Sequence, residues 1–334
     1  MTAPRFGFFF WPYEPVLVER MVRLGEQQGW DLVGIADTPG NAMDVWVALA
    51  QAATLSTRVR LASCVTNLAT RDPAITAGAA TSLDRLSGGR FVLGVGAGHS
   101  GVVNVGRRPT PPTELREGMT RVRALLDGDP AEAGRRVPVY AAASGPGALR
   151  AAGAAADGAF VNSGLGAGDT SRARALLAEG VTQAGRPAAP FDTWFIACLD
   201  VSERRETALG QLGNILGFVA AYVVGPAPAE RGVPPELVPA VVELRRQYTT
   251  RRREMDPDLV RRLGLFDYLR RRLAVAGTPD DCVEQARAAL EAGATNLMFT
   301  VSLAADPIRT VELFGRQVLP ALTVPAVDSS RRQE

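Results

Sequence analysis

The chain has no lysine: all 37 of its basic residues are arginine, set against 35 acidic ones. Schiff-base aldolases, pyridoxal-phosphate enzymes and Walker-type phosphate loops each need a lysine amine and are excluded. The only histidine is His99, so paired-histidine metal motifs such as HExxH are impossible. The three cysteines, Cys64, Cys198 and Cys282, lie far apart and form no CxxC. Neither a zinc site nor a disulfide framework is indicated, and no metal is expected. The formal net charge is +2 with no strongly basic block, so nucleic acid is not an expected partner. Long apolar runs are missing as well. The longest, "LGFVAAYVVGPAPA", is broken at Gly225 and Pro226 and is too short to span a bilayer. The start, "MTAPRFGFFFWP", lacks the features of a signal peptide. A cytoplasmic, soluble protein without membrane contact is the expectation.

What the chain does contain is a recurring alternation of short apolar runs and longer helical segments. Eight strands are expected, at 5–10, 31–36, 59–65, 91–95, 137–142, 158–162, 193–201 and 295–301. Most are apolar on both faces, as in a parallel barrel whose side chains point both inward and towards covering helices. The segment "EPVLVERMVRLGEQQGW" places Val18, Met21, Val22 and Gly25 on one stripe, and "TPDDCVEQARAALEAGA" opens with Thr278, Pro279 and two acids. Eight β/α units in a chain of this length fit a single (β/α)8 TIM barrel over 1–325, an α/β fold, better than a doubly wound sheet. A tail at 326–334 is expected to be disordered. Two segments exceed what a crossover needs: 99–112 and 222–272. Insertions after barrel strands sit at the C-terminal mouth, where substrates are held. The arginine-rich stretch at 245–253 reads first as a solvated face.

One stretch, "FVLGVGAGHSG" (91–101), asks for a specific explanation. Gly96, Gly98 and Gly101 satisfy GxGxxG, but three strands precede them, and the next residues, "VVNVGRRPTPP", hold three prolines and no expected helix start. The Rossmann reading is disfavoured. A serine hydrolase would need His99 beside its own nucleophile, Ser100, an arrangement with poor geometry. A tight turn with a surface histidine and a catalytic loop both stay open.

Three ordered blocks carry a resemblance. "RDPAITAGAATSLDRLSGGRFVLGVGAGHSGVVNVGRRP" (71–109), "VPVYAAASGPGALRAAGAAADGAFVNSG" (137–164) and "LAVAGTPDDCVEQARAALEAGATNLMF" (273–299) together resemble the bacterial luciferase-like family of TIM barrels. The likeness is greatest to its methylenetetrahydromethanopterin-reductase-like branch, which uses the deazaflavin coenzyme F420. The resemblance implies a non-prolyl cis peptide beneath the coenzyme ring at Cys64–Val65, where the family more often has glycine or serine before the bond. It implies ring contacts at Asp37, Thr66 and Asn67, and a phosphate turn in "AASGPGALR". There Ala142, Ala143, Ser144 and Gly145 lead into a helix whose amides and dipole suit an anion. Gly96, Ala97, Gly98, Ser163 and Gly164 complete the implied coenzyme contacts. His99 replaces an acidic residue of the family. With an unperturbed pKa near 6.5 an imidazole keeps general-acid chemistry available, so His99 and Asp37 are the candidate catalytic residues.

The expected function is an F420-dependent oxidoreductase passing a hydride between the coenzyme and a C=N or polarised C=C bond of a small organic substrate. The alternatives are an FMN-dependent monooxygenase on the same barrel and a non-catalytic barrel that has lost its cofactor. The family implies a homodimer. Phe10, Trp11, Trp46 and Tyr222 are candidates for an aromatic pocket, with ordinary core packing as the competing role.

Overall fold

The structure, a computed structural model, describes residues 3–127, 136–187, 190–210 and 212–323; the tail at 326–334 lies outside them. Among the described residues ten strands form: β1 (Phe6–Phe10), β2 (Leu32–Ile35), β3 (Arg60–Ser63), β4 (Thr66–Asn67), β5 (Phe91–Gly96), β6 (Val139–Ala143), β7 (Gly158–Val161), β8 (Asp192–Val201), β9 (Ala274–Gly277) and β10 (Leu297–Thr300). Eight of them close a parallel barrel in the order β1, β2, β3, β5, β6, β7, β8, β10, with β10 pairing back to β1. These eight are the expected ones.

The double-sided hydrophobicity follows from the pleat. Leu32, Ala62, Val92, Tyr140, Phe160, Trp194 and Met298 fill the barrel interior. Their strand neighbours Val33, Leu61, Leu93, Val139, Phe195 and Phe299 pack outward under the helices. Helix Pro15–Gln28 buries the stripe read from its sequence, Val18, Met21, Val22 and Gly25. Helix Pro279–Glu291 is started by a capping box between Thr278 and Asp281.

Two strands were not expected. β4 is a two-residue strand that pairs Thr66 with Val95 and Asn67 with Gly96 of β5. β9 lies outside the closed barrel. β8 is ten residues long: its middle, Phe195–Cys198, pairs with β10, and its far end, Cys198–Val201, pairs with β9.

Both insertions differ in detail from the sequence reading. After β5 the chain turns at once into a one-turn helix, Ser100–Val103, so the glycine stretch does open a helix, though too short for a dinucleotide fold. The second insertion begins before position 222. Helices Arg205–Gly210 and Leu212–Val223 follow β8 directly, and helices Val238–Gln247, Leu259–Arg262 and Phe266–Leu273 pack with the second of these. Leu216, Val219, Val241, Leu244, Val260 and Leu269 form a core of their own, joined by Trp11 and Ala36 from the strand ends. That shared core seats the insertion on the barrel's C-terminal mouth. No helix among the described residues is long and apolar enough to cross a membrane.

Candidate active site

A cavity of about 190 Å³ opens among the C-terminal strand ends, beneath the insertion. Its floor is built around the Cys64–Val65 peptide bond, which is cis. Cys64 is fully buried and burial pushes its thiol far up, so it serves as packing and not as a nucleophile. Val65 presses towards β5, and a Cβ added at Gly96 would come within 2.8 Å of its Cγ2. Gly98 has φ +83°, and a Cβ there would lie 2.0 Å from Val102. The glycine stretch therefore makes room for the floor residue and takes the turn into helix Ser100–Val103.

Asp37 follows β2 by two residues and lies at the cavity wall. The Thr66 hydroxyl donates to its Oδ2 at 2.7 Å. Burial raises its pKa, with the Thr66 hydrogen bond opposing the rise. It caps no helix: Asp44 caps helix Val45–Leu55. Asn67 lines the cavity too. Its Oδ1 accepts from Ala69, Thr70 N and Thr70 Oγ1 at 2.9–3.1 Å, which leaves the amide NH₂ free of that turn.

His99 lines the cavity, and its surroundings come from the insertion. Tyr248 hydrogen-bonds Nε2 of the ring. The Tyr222 and Phe218 rings stand 4.7 and 5.6 Å away by centroid. Burial, then the charge of Arg245, push the imidazole down to about 4. This corrects the expectation of a cationic general acid: at neutral pH His99 is a neutral ring. The hydrolase reading also falls, since the Ser100 hydroxyl is engaged with Thr38 at 2.8 Å.

At the other end, Gly145 caps helix Pro146–Ala155. Ser144 faces both the main cavity and a small adjoining one, lined also by Ser163, Arg172, Arg231 and Arg272. Arg231 donates to the carbonyls of Ser144 at 3.0 Å and Val223 at 2.6 Å. Its other terminal nitrogen covers Gly145 so closely that a Cβ there would lie 2.3 Å away. Arg272 is balanced by Asp169 at 2.7 Å; Arg231 has no carboxylate partner among the described residues. The buried hydroxyl of Ser163 and the Oδ1 of Asn162 have no hydrogen-bond partner. Unpaired cation, helix N-terminus and unpartnered hydroxyl together form a place for an anion.

Of the expected site residues, Asp37, Cys64, Val65, Asn67, Gly96, Ala97, Gly98, His99, Ala142, Ala143 and Ser144 line the main cavity. Thr66 acts through Asp37, Gly145 lies behind Arg231, and Gly164, at φ +125°, backs onto Asp169 and Arg272. Of the candidate aromatics, Trp11 and Tyr222 reach the cavity, while Phe10 and Trp46 pack between strands and helices. Asn162, Phe218, Arg231, Tyr248 and Arg272 were not anticipated. All but Asn162 come from the insertion.

A family model described as luciferase-like monooxygenase matches residues 17–296. The chain is 27% identical over 338 residues to 5,10-methylenetetrahydromethanopterin reductase of Methanolobus tindarius, covering 94% of this chain and 99% of that one. It is 28% identical to F420-dependent glucose-6-phosphate dehydrogenase of Rhodococcus erythropolis, covering 96% of each. Among solved structures, the coenzyme F420 dependent tetrahydromethanopterin reductase of Methanopyrus kandleri superposes with a TM-score of 0.78 at 23% identity, over 96% of this chain and all of that one. A barrel closed in this strand order, the cis bond at its mouth and a family model spanning most of its length place this chain in the luciferase-like monooxygenase family.

Proposed function

We propose that the protein is an F420-dependent oxidoreductase moving a hydride between the coenzyme and a C=N or polarised C=C bond of a small organic substrate. The observation that carries this reading is a pair of adjoining cavities that share Ser144 and differ in chemistry. One has a neutral floor at Cys64–Val65 that suits a flat ring; the other has the unpaired Arg231 at a helix N-terminus, which suits a phosphate. The unpartnered Oδ1 of Asn162, on the wall of the main cavity, fits a bound donor. Relatives named for F420 dependence, matched over nearly their whole length, support the choice of coenzyme.

When bound, the deazaflavin supplies two-electron hydride chemistry and reacts poorly with oxygen, because carbon stands where a flavin has N5. The chain's own residues do the rest. Ser144, Arg231 and the first-turn amides of helix Pro146–Ala155 hold the anionic end. Asp37, fixed by Thr66, and the free amide of Asn67 orient polar edges of the ring. Phe218, Tyr222 and Trp11 close the cavity against water. A homodimer fits the exposed Val16, Val47 and Ile75, which stand on three consecutive outer helices.

The test is a fluorescence titration with F420 and with FMN, oxidised and reduced, on the wild type and Gly145→Asp. The new carboxylate would pair with Arg231 and fill the anion site, so F420 binding should fall at least about 100-fold. Selective FMN binding would move the reading to oxygen chemistry, and binding of neither would favour a barrel without catalysis.

A further inference from the structure

We propose that Tyr248 locks His99 as a neutral imidazole in its Nδ1–H tautomer, and that the pair relays a proton from the protein surface to a hydrogen-bond acceptor of the substrate. The relay's last step rests on the oxidoreductase reading; the tautomer does not.

The Tyr248 hydroxyl and His99 Nε2 are hydrogen-bonded, with the two ring planes 9° apart. Either group could in principle donate. Arg245, exposed on helix Val238–Gln247 one turn before Tyr248, places its charge where it acts on both rings and decides between them. Its charge attracts the phenol oxygen's lone pairs, turns the O–H towards Nε2 and disfavours a second proton on the ring. The charged and titratable groups facing His99 are thus Arg245, Tyr248 and Tyr222, with no carboxylate among its ring contacts. Nε2 then accepts, and the ring's one hydrogen sits on Nδ1, which has no partner among the described residues. His99 lines the cavity, so a single neutral donor is presented inside an aromatic enclosure of Phe218, Tyr222 and Tyr248. Such a donor selects a neutral acceptor, an imine nitrogen or carbonyl oxygen, over a carboxylate or phosphate.

The proton balance closes without an imidazolium. As hydride adds to the substrate carbon, the electron pair shifted onto the heteroatom takes the proton from Nδ1. The Tyr248 O–H bond breaks and its proton passes to Nε2 as solvent supplies a proton to the phenol oxygen, so no free phenolate is held against its burial. Once product leaves, Nε2 returns its proton to solvent through Tyr248 while Nδ1 takes one from water in the cavity, which restores the starting tautomer. In the opposite direction each transfer reverses. Tyr248 is therefore a positioning and relay residue, and His99 is the group that touches substrate.

Because the chain has one histidine, ¹⁵N-histidine labelling of the full chain yields a single ring to read. Long-range ¹H–¹⁵N correlation at pH 7 should show a neutral ring carrying its proton on Nδ1, and Tyr248→Phe should return it towards the Nε2–H form that free histidine favours. An Nε2–H ring in the wild type, or a tautomer indifferent to Tyr248→Phe, overturns the proposal. With coenzyme and substrate, Tyr248→Phe should lower kcat about 100-fold with little change in KM. An unchanged kcat with the Nδ1–H tautomer in place would refute the relay. A wild type that binds no coenzyme would instead strike the oxidoreductase reading and with it the relay's last step, leaving the tautomer to stand or fall on the NMR result.

Discussion

Arg231→Gln perturbs the anion end of the site alone. In the unliganded protein the guanidinium makes two hydrogen bonds to carbonyls, those of Ser144 and Val223. Bonds of that charge-assisted kind contribute about 1.5–3 kcal/mol each, and glutamine can keep one of them. Against this, the cation faces the positive end of helix Pro146–Ala155, an opposition of about 0.3–1 kcal/mol, and Arg172 and Arg272 add to it. Burial and these neighbours all lower the Arg231 pKa. The net cost without ligand should therefore be small, about 1–2 kcal/mol, seen as a drop of a few degrees in Tm. With an anion present the balance reverses. The variant loses a charge-assisted bond to it, about 1.5–3 kcal/mol, so coenzyme Kd should rise about 10- to 150-fold. Thermal melts with and without inorganic phosphate, alongside the coenzyme titration, read both effects. A folded Arg231→Gln protein that binds coenzyme as tightly as the wild type would refute the assignment of the anion site.

Four further outcomes are expected. His99 has its pKa lowered to about 4 from an ordinary value of 6.5; its contribution is present above pH 6.5 and is lost as pH falls through 4, about 3 kcal/mol at most. Urea unfolding at pH 7.5 and 4.5 should show this part of the slope missing in His99→Gln. Asp200 behaves oppositely. Burial pushes it up to about 6 despite bonds from Ala305 and Thr310, so its contribution is complete below pH 3.8 and lost as pH rises through 6. Asp200→Asn, which keeps an acceptor for Ala305, should stabilise the protein by about 1–3 kcal/mol at pH 8 and not at pH 4. Gly94→Ala would set a Cβ 2.0 Å from the Ser63 carbonyl and should cost about 3 kcal/mol in thermal melts. At Gly78, inside helix Pro73–Leu86 with nothing within 4 Å, the same change should gain about 0.5–1 kcal/mol.

The barrel was legible because its strands are apolar on both faces and its helices carry ordinary end signals, as at Thr278 and Asp281. β9 escaped notice because four small residues beside an arginine-rich helix carry no strand signal of their own. The insertion's true start was hidden for a related reason: Leu212–Val223 reads like the crossover helix due after β8, while its apolar faces serve a different core. The floor of the site followed from one short stretch, Cys64 to Asn67, that lies ahead of the three blocks carrying the resemblance. The anion site and the state of His99 did not, since Arg231, Arg245 and Tyr248 sit more than 80 residues beyond the groups they act on. Only tertiary contact turns a loop histidine into a buried neutral donor, and no local pattern marks Tyr248 as its partner.

The most direct test of the site is a crystal structure of the protein with F420 bound. The deazaflavin ring should lie on the Cys64–Val65 peptide with its phosphate on Ser144, the first turn of helix Pro146–Ala155 and Arg231. A phosphate bound away from Arg231, or a ring lodged anywhere other than over that cis bond, would contradict it.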